Sequence, residues 1–463
     1  MTDDSSINAS LEGNIRRFVL FRVLYSARFY YPVFTILFLD YGLSLEQFAI
    51  LNTVWALTIV LAEVPSGALA DILGRKRLIV YAAVLMVVEL GVLVWVPIGE
   101  SPYLFYAFLV NRVCSGLSEA AASGADEALA YDSLQALGRE RDWAHLLERT
   151  TRMVSVGFFT TMIIGALVYD AAVVNSVPRL LGFDWTPAPE LIIKLPILLT
   201  FLSACVLLPV TLGLREVSPG AADQAGVHSQ AVGIGRLLEP FRQILQAASW
   251  TLAHRFVLFV ILAALVLDSV ARQFVVLASE YYRVIDIPAA WFGFIGAGMA
   301  LLGIINARLS RYLVSQHSPL FNYLFLSAIL LVGLSGLTLV IPWFGVLFAV
   351  AAFAMMGMVA FQSSYYINRE VDSAHRATVL SFRGLALNLG LGLASLLYTG
   401  LIASIRAQYA GAADPDGIQE LVFVASLQAF PAYFLVLFLV LLVLAWLLVG
   451  NREVFTRHPS RRR

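Results

Sequence analysis

Charged residues are scarce in this chain. Lys, Arg, Asp and Glu together make up 13% of its 463 residues, whereas a soluble domain contains about 25%. Basic and acidic residues balance at 31 each, so there is no excess of positive charge that would attract nucleic acid. The two cysteines, Cys114 and Cys205, lie in apolar runs without metal-ligand spacing. They predict neither a disulfide framework nor a metal site.

Apolar residues take the place of the missing charges. Hydrophobic side chains make up 60% of the chain, and the mean hydropathy is +0.81. One water-soluble core cannot bury so much apolar surface, so most of it must face lipid, which excludes a soluble enzyme. The sequence predicts an all-α polytopic membrane protein with twelve transmembrane helices, because apolar runs of about 20 residues occur at 18–39, 47–70, 78–98, 103–130, 153–174, 191–213, 256–281, 289–310, 319–341, 344–367, 378–403 and 420–449.

The basic residues predict how these spans are oriented. With both termini placed in the cytoplasm, most basic residues fall in cytoplasmic loops, and the outside loops hold only Arg179, Lys194, Arg283 and Arg406. This asymmetry is the positive-inside bias of membrane proteins. The compact loops and the absence of a targeting segment favour a multi-pass protein of a bacterial inner (plasma) membrane.

The longest connection divides the chain near its middle. We predict an N-terminal bundle of six helices at 1–213, a cytoplasmic linker at 214–254 and a C-terminal bundle of six helices at 255–463. Helical spacing of apolar residues in the second part of the linker indicates an amphipathic helix, which lies either at the inner membrane surface or against the inner loops. Ala27-Arg28 in the first span and Ala271-Arg272 in the seventh favour a parallel repeat of the two halves.

A short motif follows the second span. The chain reads Pro65-Ser66-Gly67-Ala68-Leu69-Ala70-Asp71-Ile72-Leu73-Gly74-Arg75-Lys76-Arg77, which resembles the G-x-L-A-D-x-x-G-R-K/R signature between helices two and three of the major facilitator superfamily. The resemblance implies a secondary transporter in which two six-helix bundles alternate access to a central site. It also implies a conformational gate that includes Gly67, Asp71, Gly74 and Arg75.

Elementary chemistry suggests what the gate residues do. Gly67 would let two helices approach closely, and Asp71, near a helix C-terminus, needs a positive partner. The superfamily pairs an acid of helix four with the Arg of this signature, so the resemblance implies that Asp126 or Glu127 contacts Arg75. The alternative is that these charges only anchor the loop in water.

A second resemblance lies in the fourth span. Asn111-Arg112-Val113-Cys114-Ser115-Gly116 is similar to the R-x-x-Q-G element of the superfamily, with Ser115 in the place of Gln. In proton-coupled members that Arg takes part in coupling. The resemblance therefore implies the same role for Arg112.

Charged residues also occur inside the predicted spans, where each costs about 2.5–3.5 kcal/mol to insert. The candidates for a functional role among them are Arg28, Glu89, Arg112, Glu119, Asp268 and Arg272. Arg28 and Arg272, on spans one and seven, are candidates to bind a carboxylate or phosphate between two guanidinium groups. The alternative is that Asp268, four residues before Arg272, neutralises it on the same helix face.

The acids of these spans are candidate proton carriers. Glu119 and Asp268 are the two that we assign to proton coupling, and a static ion pair is the alternative for each. Glu89 is expected to pair with a neighbour such as Arg112. In span ten, Gln362 and Tyr365 are candidates to hydrogen-bond a solute, although such residues more often bond neighbouring helices.

These features predict a secondary active transporter of a small organic solute that works by alternating access. Proton-coupled efflux is the first choice, on the frequency of that activity in the superfamily. Two alternatives stay open: uptake or exchange of an organic anion such as a carboxylate or phosphate ester, and a non-transporting membrane sensor or scaffold. We predict no enzymatic activity, because the sequence offers no catalytic cluster of His, Ser or Cys, and no cofactor or metal. The expected partners are a small solute, protons and the lipid bilayer, without nucleic acid, and we expect a monomer.

Overall fold

A computed structural model describes residues 2–99, 101–180, 182–183, 185–217, 234–409 and 415–449. The described residues form α-helices joined by short turns, and these ranges contain no β-strand. The helices are α1 (Thr2–Ser26), α2 (Phe34–Asp40), α3 (Leu45–Leu73), α4 (Arg75–Trp95), α5 (Leu104–Ala122), α6 (Ala125–Ala136), α7 (Trp143–Tyr169), α8 (Ala171–Leu180), α9 (Pro189–Leu212), α10 (Ile234–Ala253), α11 (Arg255–Val284), α12 (Ala289–Gln316), α13 (Pro319–Leu337), α14 (Val346–Glu370), α15 (Ser373–Tyr409) and α16 (Pro415–Val449).

Ten helices of the described chain are long and apolar enough to cross a membrane: α3, α4, α7, α9 and α11 to α16. They correspond to ten of the twelve predicted spans. The prediction of an all-α polytopic membrane protein is confirmed. The first and fourth predicted spans are the exceptions. Each is divided into shorter helices in the structure, although the sequence predicts one continuous helix.

The first span is broken near its middle. Helix α1 ends at Ser26, a short 3-10 turn covers Tyr31–Val33, and α2 then completes the span. Pro32 contributes to this break, because it lacks a backbone N–H and disfavours the α conformation of the residue before it. The break places Arg28 outside regular helix.

The fourth span is interrupted at its inner end. Helix α5 ends at Ala122, and Gly124 takes a left-handed conformation with φ +75° before α6 begins. Glycine adopts positive φ without the steric penalty of a Cβ. The residues from Asp126 onward therefore belong to a new helix rather than to the predicted span of 103–130.

The predicted amphipathic stretch of the linker coincides with α10. Residues 218–233, and the side chains of residues 234–241, lie outside the described part of the chain. The orientation of this helix at the membrane surface stays a prediction.

The chain packs into two compact units. The first comprises Met1–Val33 and Leu57–Arg242, and the second comprises Phe34–Ala56 and Gln243–Arg463. Division of the chain at residues 214 and 254 stays a prediction.

The first unit packs α4 against α5 and α9, and α1 against α6, α7 and α9. One contact is especially close. A Cβ added at Gly165 of α7 would lie 1.7 Å from the carbonyl oxygen of Phe29, in the break after α1. Only glycine allows the backbones of these two segments to pack in this way.

The second unit is built around α11, which is the most enclosed of the ten spans and packs against α14, α15, α16 and α2. The segment Phe34–Ala56 is tied into this unit by polar contacts. Arg283 of α11 lies 2.6 Å from Asp40, and Arg406 of α15 bonds both carboxylate oxygens of Glu46 at 2.5 and 3.1 Å. The bidentate geometry favours a well-oriented ion pair.

Candidate functional site

A buried ion pair in the first unit joins Arg28 to Glu89. The Nη1 atom of Arg28 donates to Oε1 of Glu89 on α4, and the two side chains are 4% and 0% exposed. The Arg28 guanidinium also lies 5.4 Å from the centre of the Tyr25 ring, within cation–π distance. Arg112 was the partner that the sequence suggested for Glu89; the ion pair in the structure is with Arg28, and Arg112 is a buried electrostatic neighbour of both.

Glu119 of α5 is an electrostatic neighbour of this buried pair. Its side chain is exposed, and the charged groups that act on it most strongly are Arg28, Glu89 and Arg22. The preceding residue, Ser118, is buried and hydrogen-bonds the Tyr25 hydroxyl at 2.9 Å. The structure thus brings Arg28, Arg112 and Glu119 into one electrostatic cluster of the first unit.

A second buried ion pair lies on α11. Arg272 Nη2 donates to Oδ2 of Asp268, one turn earlier on the same helix, and the side chains are 20% and 5% exposed. Arg272 Nη1 donates to Oδ1 of Asn388 on α15 at 3.0 Å. This is the alternative arrangement that the sequence allowed, in which Asp268 neutralises Arg272 locally. The guanidinium groups of Arg28 and Arg272 each have a carboxylate of their own unit as partner.

A cavity of about 940 Å³, with both apolar and polar side chains in its lining, opens beside α14 and α15 in the second unit. Tyr365, predicted as a solute contact, lines it and is 38% exposed. The other lining residues are Ala360, Phe361, Ser364, Asn368, Arg369 and Arg383. Its volume lies in the upper part of the range of about 300–1,000 Å³ for small-molecule pockets.

Gln362, the other predicted solute contact on α14, is placed differently. Its side chain is fully buried, and it is not among the residues that line the cavity. Both polar atoms of its amide are without a hydrogen-bond partner among the described residues. In this conformation Gln362 does not contact a solute in the cavity.

Arg383 links the cavity to the ion pair on α11. It lies on α15, half-buried, and its Nη1 atom donates to the Ser363 hydroxyl at 3.1 Å and the Ala360 carbonyl at 3.4 Å. Asp268 and Arg383 are electrostatic neighbours. Arg383 is not among the candidates that the sequence singled out, although its position five residues inside the eleventh predicted span is a signal that could have identified it.

The predicted gate begins at the turn between α3 and α4. Gly74 has φ +95°, and the Glu216 carboxylate accepts the backbone N–H groups of Arg75 and Lys76 at 3.0 and 2.9 Å. The positive φ favours glycine here, and a Cβ at Gly74 would lie 2.7 Å from the flexible Glu216 carboxylate, which would have to shift. Glu216 follows α9 and caps the start of α4, a role that the sequence did not reveal.

The acid that pairs with Arg75 differs from the expected one. Arg75 Nη1 donates to Oδ2 of Asp132 and to the Ala128 carbonyl, the latter at 3.1 Å. Asp126 instead pairs with Arg22 of α1 at 3.2 Å. The physical reason is the break at Gly124: Asp126 lies in the first turn of α6 and points to α1, whereas Asp132, almost two turns later, reaches Arg75.

The remaining predicted gate residues lie on α3. A Cβ added at Gly67 would meet no described atom within 4 Å, so the described residues show no close helix approach at this position; a close approach in the first unit is at Gly165. The side chain of Asp71 lies outside the described part of the chain.

The comparisons with known proteins match this architecture. Residues 18–395 match the family model described as Major Facilitator Superfamily. The chain belongs to the major facilitator superfamily. No curated protein matches it in sequence.

Solved structures of other superfamily transporters have the same fold. The nucleoside transporter NupG is 15% identical with a TM-score of 0.66, over 96% of this chain and 100% of that one. A bacterial homologue of the human lysosomal transporter Spinster, inward-facing and occupied, is 15% identical with a TM-score of 0.66, over 97% and 98% of the two chains. A D-xylose-proton symporter is 11% identical with a TM-score of 0.56, over 91% and 96%. Membership of the superfamily makes the chain a membrane transporter of small solutes rather than an enzyme.

Proposed function

We propose that this superfamily member couples the movement of a small organic solute to protons, by alternating access, and exports the solute from the cytoplasm. The observation that carries the coupling proposal is the ion pair between Asp268 and Arg272. Its carboxylate is almost fully buried, whereas its guanidinium is 20% exposed and is held by Asn388. Protonation of Asp268 would release Arg272 without leaving a buried negative charge behind.

The energetics of buried ion pairs support Asp268 as the carrier. Removing two charges from water costs several kcal/mol per ion, which their attraction offsets only when the geometry is favourable. A neutral carboxyl group and a partly solvated guanidinium are therefore an accessible second state of this site. Glu119, at an exposed position near Arg28 and Arg22, is the second proposed proton site, with Arg112 as a neighbour that acts on the same cluster.

The alternative of organic-anion uptake or exchange rested on Arg28 and Arg272. Both guanidinium groups already bond a carboxylate, so these two residues do not favour it. A different observation does, because Arg369 and Arg383 line the cavity of the second unit. Anion transport is thus the second candidate, with a changed set of binding residues.

Transport in proteoliposomes tests the coupling. Purified protein is reconstituted in vesicles that contain a pH-sensitive dye, and a pH gradient is imposed in the presence of uridine, D-xylose, benzoate or ethidium. We expect one of these solutes to accumulate in a gradient-dependent way in the wild type. Asp268→Asn should abolish this accumulation but retain exchange of the solute, and Asp286→Asn, an exposed acid after α11, is the matched control.

The remaining parts of the proposal have their own tests. Vesicles of defined orientation distinguish efflux from uptake by the side to which the solute gradient must be applied. Cysteine accessibility at the two ends of the chain tests whether both termini are cytoplasmic in an inner membrane. Light scattering of the purified protein tests the proposed monomer.

A further inference from the structure

We propose that the cavity beside α14 and α15 is an anion site, which binds a carboxylate or phosphate group at Arg383 and Arg369 and the aromatic or apolar body of the solute at Phe361 and Tyr365. This inference rests on the proposed function, because it names the chemical class of the transported solute. It requires neither Arg28 nor Arg272. The solute class follows from the charge, the aromatic surface and the size of the cavity.

The helix spacing brings the two kinds of contact together. Phe361, Tyr365 and Arg369 occur at intervals of four residues on α14, which places them on one face of the helix. Ser364 and Asn368 follow the adjacent face, where the Asn368 amide donates to the carbonyl and the hydroxyl of Ser364 at 2.8 and 3.1 Å. The cavity therefore has an aromatic stripe that ends in a positive charge, beside a polar wall.

The described residues that line the cavity carry positive charge, and none of them is an acid that would balance it. Two guanidinium groups and no carboxylate are among the described residues that line it. The ion pairs of the described chain include neither Arg369 nor Arg383. Asp268, the acid that acts on Arg383, is bonded to Arg272 instead. An anionic solute would supply the missing negative charge.

Arg383 has further N–H donors that can bind such a solute. A guanidinium carries five N–H donors in a planar fork, and the described partners of Arg383 are one hydroxyl and one carbonyl, both on Nη1. Neutral acceptors of this kind hold the group in place without neutralising it. Because Arg383 is half-buried and lines the cavity, an anion there would be partly desolvated, which strengthens a charge-assisted hydrogen bond.

Arg369 makes a smaller contribution than Arg383. It lies in the last turn of α14 and is exposed, where a cation is also favourable for the helix dipole and for the positive-inside bias. These roles alone would explain its presence. We therefore assign the main anion contact to Arg383 and a long-range attraction to Arg369.

Ligand binding to the detergent-purified full-length chain tests the site. The probes are benzoate and phenyl phosphate as anions, benzamide as the neutral isostere of benzoate, and benzylammonium as the cation, each titrated by calorimetry. We expect at least one anion to bind at least 10-fold more tightly than benzamide, and benzylammonium to bind least. Comparison of benzoate with phenyl phosphate distinguishes a carboxylate site from a phosphate site.

Variants locate the binding group. Arg383→Gln should weaken the anion about 10- to 100-fold, the expected loss of a charge-assisted hydrogen bond, and should leave benzamide unchanged. Arg369→Gln should weaken it less than 10-fold, mostly at low salt. Arg311→Gln, which removes an exposed guanidinium from α12 outside the cavity, should leave the affinity unchanged.

Two results would overturn the anion site. One is equal affinity for benzoate and benzamide, or no binding of either anion; the other is an unchanged anion affinity in folded Arg383→Gln, with its thermal unfolding temperature as the check on folding. Neither result would contradict the transporter proposal, which depends on proton movement and its loss in Asp268→Asn. Conversely, if the protein binds anions at this site but moves no protons, the anion site is retained and the proposal of proton coupling is contradicted.

Discussion

The two buried arginine–carboxylate pairs are built in different ways. Arg28 and Glu89 come from two different elements of the first unit, and neither side chain is more than 4% exposed. Asp268 and Arg272 lie one turn apart on α11 of the second unit, and the guanidinium is 20% exposed. The first pair thus connects two elements inside a packed unit, whereas the second is local and has one accessible side. In a pair of the second kind, the carboxylate can gain or lose a proton at a lower cost in free energy.

The local backbone causes this difference. The first span breaks after Ser26, so Arg28 projects from an irregular segment toward α4, and Gly165 lets α7 pack onto that segment at Phe29. Helix α11 continues without interruption through Arg255–Val284, so Asp268 and Arg272 meet by helical spacing. The repeated Ala-Arg dipeptides of the two halves therefore occupy unlike environments.

The largest effect is expected when the first pair is broken. Glu89→Gln would leave Arg28 buried without a carboxylate, which costs about 3–5 kcal/mol. We expect low yield and a strongly lowered free energy of unfolding, measured by SDS titration of the purified protein. Glu148→Gln, at an exposed position of α7, should cost little. A Glu89→Gln protein as stable as the control would show that the pair does not stabilise the first unit.

A second test concerns the packing that holds Arg28 in its break. Gly165→Ala places a Cβ against the Phe29 carbonyl oxygen, so the segment must shift or the protein loses stability by about 1–3 kcal/mol. The matched variant is Gly298→Ala on α12, where an added Cβ meets no described atom within 4 Å. It should be neutral or slightly stabilising because alanine favours helix more than glycine does. Equal stability of the two variants would contradict the close approach.

The second pair should be far less important for stability. In Asp268→Asn, Arg272 keeps Asn388 as an acceptor and part of its contact with solvent, so we expect a loss of about 1–2 kcal/mol in the same SDS titration. This is well below the loss in Glu89→Gln. If Asp268→Asn were as destabilising as Glu89→Gln, the contrast between a structural and a titratable pair would be wrong.

The sequence predicted the membrane class and the spans well, because long apolar runs require helices in lipid. It also allowed the correct partner of Arg272, since residues four apart on a helix meet whatever the tertiary structure. It could not predict the pairs that cross between elements. The partner of Glu89 depends on the break after α1, and the cap that Glu216 provides at Gly74 depends on how the end of α9 meets the start of α4.

The same limitation explains why Asp126 does not pair with Arg75. The pair that Arg75 forms instead, with Asp132, gives the smallest expected effect. Family resemblance placed the partner of Arg75 in span four, but the turn at Gly124 starts a new helix on which Asp132 makes the contact. Both side chains of this pair are 31% exposed, so solvent screens them and the coupling should be below about 1 kcal/mol.

A double-mutant cycle measures this coupling directly. Arg75→Gln and Asp132→Asn should be non-additive by a few tenths of a kcal/mol in the free energy of unfolding, whereas Arg75→Gln and Asp126→Asn should add. The opposite outcome would restore Asp126 as the gate acid. Because the coupling is small, the pair could break and re-form during a transport cycle, unlike the enclosed pair of Arg28 and Glu89. A partly exposed pair is therefore suited to a gate, and a fully buried one to holding a unit together.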